Sequence, residues 1–490
     1  MLKTVTLLLG LFALSASPAL SETYYVAPLG ATLSGAPAGT NSLPFPSIQA
    51  AFKSGRVKGG DTLLLKDGAY GSVIIEANAA FTSPVTIMSQ NGKAAQFDRI
   101  RLGQDTRNII FKNLSVWPRD PSTSGAYLVR SYNTVTDITL DGLDIRSEEN
   151  AADFMKWDAA KWGARKFHGI VLAGERNTIV RNTITAVYDG ISGGPDSLIA
   201  DNIVNGYDGD GIRAVSRGTV RGNKITNCVK TDANHDDGFQ SFASNGGTIT
   251  DLVLDSNVII EWTGSANHPL RCTLQGIGLF GGPYVNLTVV NNVVSVSHSH
   301  GISIYGANGA MVLNNTIVNS RGLSGLVPYL AVRPLKDGTL SKDVLVANNL
   351  AMSISGAASA ENGIVFRNNS IISLPSLVFE NPAAFDYRPK VSSGYIDTAD
   401  PTVAPPTDVT GQKRASGLLP DRGAYEVKKD AASTGPGLLS PPPASTVTTA
   451  PPTTTGPVIK THEDKKSGTI TTIVTSPGGS KRIVLTQRKD

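Results

Sequence analysis

The chain has only two cysteines, Cys228 and Cys272, in 490 residues, and no Cys/His set with zinc-ligand spacing. The cysteines fall on neighbouring stretches of a repeat described below, so a bridge and a pair of inert buried thiols are both compatible with the sequence. Net charge is also scarce. The balance is +4, with 17% charged residues, too mild for nucleic-acid binding and compatible with a polyanionic partner. Beyond the first twenty residues no apolar run is long enough to span a membrane.

The exception at the start has the pattern of a secretory leader. Met1-Leu2-Lys3 is basic, Thr4 to Ala16 is uncharged and apolar, and Ala19-Leu20-Ser21 places small residues at a cleavage site. Residues 1–21 are therefore expected to be a signal peptide, with the mature chain starting near Glu22 and secreted or periplasmic. No integral membrane contact is expected after cleavage, and a monomer is expected.

What the sequence has in quantity is glycine, 50 residues, and a repeat. Segments such as 177–184, 218–225, 285–294 and 342–350 show apolar alternation, then Asn, then an apolar residue two places on. The Asn column runs Asn182, Asn202, Asn223, Asn257, Asn292, Asn315, Asn349 and Asn369. A second column is polar-Gly-apolar: His168, Asp189, Asp210, Asp237, Gln275 and His300, each followed by Gly. The steps between those glycines are 21, 21, 27, 38 and 25 residues, a base period with loops inserted at fixed corners.

Short β-branched runs with period-2 alternation are strands, and Gly and Asn make the corners. Stacked coils about 4.8 Å apart put equivalent residues in contact, so corner asparagines can adopt the left-handed conformation and form a hydrogen-bonded ladder. The fold expected is all-β, a single-stranded right-handed parallel β-helix over 22–428. Ser47 to Phe52 is expected to be a capping helix, and the stack to finish near Pro420 to Glu426. Residues 429–490 are a Pro/Thr-rich linker and tail with a short hairpin within 468–487.

The polar column is where chemistry concentrates. Asp189, Asp210 and Asp237 stack on successive coils and are expected to face outward, since three core carboxylates are costly. Asp208, His235, Asp236, Arg213 and Gln240 surround them. Two outcomes are physically reasonable: a hard cation such as Ca²⁺ among Asp208, Asp210, Asp236 and Asp237, or one carboxyl that keeps its proton. The alternative is a solvated acidic ridge. His300 shares the column, with His298 beside it. Trp157, Trp162 and Lys166 lie in an insertion before His168 that either offers a sugar platform or packs on the coils, the latter slightly favoured.

At this column the sequence resembles the pectin-active β-helix families. Tyr24-Tyr25-Val26-Ala27-Pro28 through Pro46-Ser47-Ile48-Gln49-Ala50-Ala51 to Gly60-Asp61-Thr62-Leu63 is similar to the opening of family 9 pectate lyases and of the chondroitinase B and alginate lyase family. The resemblance implies calcium at Asp210 and at Asp236-Asp237-Gly238-Phe239-Gln240, with Gln240 where those lyases have a carboxylate. It also puts Gly278 where they carry a catalytic lysine. The polygalacturonases are a second resemblance, through Asp210, Asp236-Asp237, Ser299-His300-Gly301 and, loosely, Arg333-Pro334-Leu335-Lys336. His235-Asp236 is similar to a motif of the alginate epimerases, without its proline.

These resemblances imply an exported enzyme acting on an acidic polysaccharide, with β-elimination as the first expectation. In it, Asp210, Asp236 and Asp237 neutralise the uronate carboxylate, and His235, His300 or Arg213 serves as base or charge stabiliser. Asp189, Trp157, Trp162, Lys166 and Gln240 are the expected substrate contacts. The alternatives are inverting hydrolysis, C5-epimerisation and a noncatalytic glycan-binding scaffold.

Overall fold

A computed structural model describes residues 21–428, apart from 77–78, 121–125, 244–245 and 323, together with the backbone of three strands at 458–464, 469–475 and 481–488. The leader 1–20 and most of the tail lie outside the described residues.

The body is a stack of coils bounded by three parallel ladders. One ladder begins with Thr23–Val26 on Thr62–Leu65 and ends with Lys342–Ala347 on Val365–Arg367. A second runs through Thr183–Val187, Ile203–Tyr207 and Lys224–Cys228 to Ser370–Ile371. The third carries the polar column. It runs through Ala95–Leu102, Tyr127–Ser131, His168–Leu172, Ile191–Gly193 and Ile212–Arg213, then Asp237–Phe242, Gln275–Gly281, His300–Tyr305 and Tyr329–Arg333.

Register explains why the repeat folds this way. Ile170, Ile191, Ile212, Phe239, Ile277 and Ile302 align one above another and are all buried. At about 25 cal/mol per Å² of apolar area, such a continuous column is the main stabiliser of the stack. The glycine before each of these residues is required by close approach. A Cβ on Gly190 would lie 2.3 Å from the Gly211 carbonyl oxygen, and one on Gly211 would lie 2.6 Å from that of Gly238.

The asparagine ladder is present. Asn182 Nδ2 donates to Asn202 Oδ1 at 2.9 Å, and Asn202, Asn223, Asn257, Asn292, Asn315 and Asn349 each donate to the next, ending at Asn369. One detail differs from expectation. The left-handed residue is the one before each ladder asparagine, including Arg181, Asp201, Gly222 and Ser256. The ladder asparagine is thereby freed to point inward and satisfy its amide on backbone carbonyls.

The helix Ile48–Lys53, capped by Ser47 Oγ accepting from Ala50 N, buries Ile48, Ala51 and Phe52 against the stack. The stack ends earlier than expected. The last ladder strands are Val365–Arg367 and Ser370–Ile371, and residues 372–428 fold back along the side. Phe379, Tyr387 and Tyr425 pack there with Val293, Val318 and Leu350. Repeat-like sequence at 420–426 misled because its Gly and Tyr serve this packing: Gly423 N donates to Asn348 O, outside any ladder. The strands Thr469–Thr475 and Lys481–Arg488 pair as the expected antiparallel hairpin, and Val458–Asp464 adds a third strand to it. Among the described residues no helix is long and apolar enough to cross a membrane.

Cys228 and Cys272 are joined in a disulfide with Cα atoms 5.5 Å apart. It ties the end of one strand to the segment entering the Gln275 strand. Glu261 sits beside it, fully buried. It accepts from Arg271 Nε at 2.8 Å, Ser297 N at 2.6 Å and Leu274 N at 3.2 Å.

Candidate functional site

The acidic column differs from its expected placement. Asp189, Asp210 and Asp237 do not face solvent; they are 4%, 2% and 0% exposed, as are Asp208 at 0% and Asp236 at 2%. The expected cost of burial is met by a carboxylate–backbone ladder. Asp189 Oδ1 accepts from Asp210 N, and Asp210 Oδ1 accepts from Asp237 N, both at 3.0 Å. Arg213 is outward of the pair and neutralises it, its Nε 2.6 Å from Asp210 Oδ2 and its Nη1 3.0 Å from Asp189 Oδ2. His168 Nδ1 lies 2.9 Å from the same Asp189 oxygen. Burial favours protonation of Asp189, but His168 and Arg213 outweigh it and hold the group below the usual carboxylate range. At Asp210 burial wins over Arg213 and the pKa rises.

One coil further the compensation stops. Burial first, then the neighbouring Asp210 and Asp236 charges, push Asp237 up to about 8. Asp237 Oδ1 is buried with no hydrogen-bond partner among the described residues. Its Oδ2 lies 3.2 Å from Gln240 Nε2 and 3.3 Å from His235 Nδ1. Burial also raises Asp236 to about 7, against the Lys230 ammonium 3.0 Å away. Burial and the neighbouring charges thus favour the protonated form at Asp237.

Of the expected calcium ligands, Asp236 Oδ1 and Asp237 Oδ1 are buried without a partner among the described residues, and most of the other oxygens are engaged. Asp208 is held by Lys166 at 3.0 Å and by the Thr231 hydroxyl, Asp210 by Arg213 and Asp236 by Lys230. Among the described residues, the group of His, Cys, Asp or Glu whose ligating atoms converge is Cys228, Asp236 and Cys272, and those cysteines are bridged. A hard cation needs several converging free oxygens, so no step is derived through calcium.

The tryptophan platform is also corrected. Trp157 and Trp162 are 5% and 1% exposed and pack with Phe154, Val229 and Trp262. The insertion 151–166 is amphipathic and buries its rings on the coils. Lys166 bridges Asp208 and Asp232 and lies over the Tyr188 ring, which leaves it fully engaged.

The open space lies on the C-terminal side of the acidic column. A cleft of about 550 Å³ is lined by His235, Gln240, Gln275, His300 and Lys336, and by the aromatic wall of Phe242, Phe280 and Tyr305. It joins the Asp237, Gln275 and His300 strands. Of the expected site residues, His235, Gln240 and His300 meet here, with Asp237 directly behind the first two. Asp189, Asp208, Asp210, Arg213, Trp157, Trp162 and Lys166 do not line it. Among the described residues no carboxylate lines it.

His300 is the best-positioned reactive group. Its Nδ1 lies 2.6 Å from Tyr329 Oη and 2.8 Å from Ser303 Oγ. His298 stacks on it at 5.0 Å and Phe280 meets it edge-on at 4.9 Å. Burial, then the His298 and Arg333 charges, lower its pKa to about 4, so the imidazole is neutral at physiological pH.

The aromatic wall was missed in the sequence, although a signal existed. Phe242, Phe280 and Tyr305 each follow the column residue Asp237, Gln275 or His300 by five positions. Five residues after a column residue, the strand again points outward, and only these three coils carry rings there.

Residues 98–321 match the family model described as "Right handed beta helix region". No curated protein matches by sequence. Among solved structures, the chain is similar to pectate lyase Pel9A at 15% identity, covering 83% of this chain and 97% of that one, with a TM-score of 0.40. A mannuronic acid specific polysaccharide family 6 lyase from human gut microbiota matches at 15% identity, covering 71% and 91%, with a TM-score of 0.36. A GH136 lacto-N-biosidase from Eubacterium ramulus matches at 12% identity, covering 71% and 67%, with a TM-score of 0.38. The matched region and the three parallel ladders agree: the body of this chain is a right-handed parallel β-helix.

Proposed function

We propose that the chain binds an acidic, uronate-containing polysaccharide in the His235–Gln275–His300 cleft and cleaves it by β-elimination. The observation that carries this reading is the composition of the cleft: a neutral imidazole, a lysine and three aromatic rings, with no carboxylate among the described residues. Rings offer flat apolar faces to pyranose rings. Lys336 supplies the cation that meets a uronate carboxylate and acidifies the proton beside it. His300 accepts the C5 proton, the electron pair forms the C4–C5 double bond, and the C4–O bond breaks. The leaving oxygen takes a proton from a phenol, for which Tyr305 stands in the same cleft. Gln240 and Gln275 orient hydroxyls by hydrogen bonding.

Inverting hydrolysis fits less well, because it needs two carboxyl groups facing the bond and those of the column are buried. The disulfide fits an oxidising compartment and so supports export.

The test is to incubate the mature protein with a panel of uronate polymers, with and without Ca²⁺. Absorbance of an unsaturated product in both conditions is the expected result. Reducing ends without absorbance mean hydrolysis, and neither signal means a noncatalytic binding surface.

A further inference from the structure

Most arginines on the body already have anionic partners. Arg119 pairs with Asp98, Arg176 with Asp137, Arg181 with Asp141, Arg213 with Asp189 and Asp210, and Arg217 with Asp196. Two arginines on the third ladder break this habit. Arg101 and Arg130 are directly opposite each other in register on adjacent coils. Both are exposed. Neither forms an ion pair with a carboxylate among the described residues.

Like charges directly opposite on paired strands, about 4.8 Å apart, are destabilising unless an anion lies between them. The local structure holds them in place all the same. Arg130 lies 4.5 Å over the Tyr127 ring, and Tyr127 is itself stacked on His168 at 4.6 Å. Arg101 lies 5.1 Å over the Tyr132 ring and donates to its hydroxyl. Resting on a ring fixes a guanidinium plane while leaving the N–H groups not already donated, all of those of Arg101 but the one on Tyr132, to meet a carboxylate.

The pair shares a column with the cleft. From Arg130 the register passes through Val171, Ser192 and Arg213 to Gln240, which lines the cleft. Four coil steps at about 4.8 Å make roughly 19 Å. Val171 and Ser192 are uncharged, and Arg213 is neutralised, so the free positive charge on this path is at its far end.

We infer that Arg101 and Arg130, on their tyrosine platforms, form a second anion-binding subsite that holds a distal carboxylate of the same acidic polysaccharide chain. This rests on the proposed substrate class but not on the cleavage chemistry. A chain long enough to reach both sites binds the second intramolecularly, and its affinity exceeds that of a fragment confined to the cleft.

The experiment compares wild type with Arg101→Ala/Arg130→Ala in calorimetry against polygalacturonate and alginate. Each is used as polymer and as trisaccharide, with dextran as a neutral control. The double variant is expected to lose tenfold or more in polymer affinity and part of its salt dependence, with trisaccharide affinity and melting temperature unchanged. Unchanged polymer affinity overturns the inference, as does wild-type polymer binding no tighter than that of dextran. An arginine-dependent loss of polymer binding in a protein that forms no unsaturated product leaves this subsite standing and removes the elimination reading. Product formation with polymer binding insensitive to both arginines does the reverse.

Discussion

Tyr329 Oη lies 2.6 Å from His300 Nδ1, a hydrogen bond between neighbouring coils that fixes the imidazole at the edge of the cleft. With a pKa lowered to about 4, His300 is a neutral base over a wider range than an ordinary histidine, whose pKa is near 6.5. The acidic limb of the rate profile is therefore expected near pH 4, with activity retained at pH 5.5. His300→Gln is expected to lower kcat by about 10²–10⁴ with little change in melting temperature. A limb near pH 6.5, or an active His300→Gln protein, assigns the base elsewhere.

Asp237 makes a prediction about stability. Unfolded, an aspartate titrates near 3.9; folded, Asp237 titrates at about 8 because it is buried beside Asp210 and Asp236. Between these values the folded chain holds a proton that the unfolded chain has lost. Raising the pH from 5 to 8 therefore erodes stability. Asp237→Asn removes the ionisation while keeping the shape. Its melting temperature is expected to exceed that of wild type at pH 8, with the gap closing toward pH 5. Parallel pH slopes for the two proteins contradict the assignment.

The fold was readable in the sequence because the β-helix repeats its chemistry every coil. Asn182 to Asn369 and the Gly-apolar pairs obey one local rule many times. Burial was not readable in that way. Asp189, Asp210 and Asp237 were expected outward on a correct premise about cost, but at Asp189 and Asp210 the cost is met by Arg213 and by backbone N–H groups one coil away, and at Asp237 it appears as a raised pKa. Such compensation depends on three-dimensional neighbours that no spacing announces. Trp157 and Trp162 show the same limit: a ring that could stack on sugar and one that fills a core look alike until their neighbours Phe154 and Trp262 are placed. His235, Gln240 and His300 meet in one cleft because the column register survives the long loops between their coils.

The disulfide and Glu261 act on the same junction, and their loss is expected to differ in kind. Reduction of Cys228–Cys272, which closes a segment of 44 residues, relaxes the unfolded chain by about 4 kcal/mol on the chain-entropy estimate. Glu261→Ala instead leaves Arg271, only 7% exposed, without its carboxylate, a change of about 3–5 kcal/mol. Denaturant titration of Cys228→Ser/Cys272→Ser and of Glu261→Ala should show both losses. Glu261→Ala should also loosen the 271–297 region in hydrogen exchange, since Leu274 N and Ser297 N lose their acceptor. An Glu261→Ala protein as stable as wild type removes the buried-charge argument.

The last prediction concerns residues 429–490. The side layer that closes the β-helix is complete before them. Buried Arg414 donates to the carbonyls of Asp421, Gly423 and Ala424 and to Asn291 Oδ1, and it lies 3.7 Å from Glu426. Asp421 N donates to Glu426 Oε2, and Glu426 N donates to Asp408 Oδ2, so residues 408–426 satisfy one another. A chain ending at Lys428 keeps every one of these bonds. It is expected to fold, with a melting temperature within a few degrees of the full chain and unchanged polysaccharide binding. A chain ending at Arg422 loses the Glu426 contact and the Gly423 and Ala424 carbonyls that hold buried Arg414, and it is expected to melt well below the chain ending at Lys428. If the chain ending at Lys428 aggregates while the full chain does not, the closing layer extends into the tail, and the boundary at 428 is misplaced.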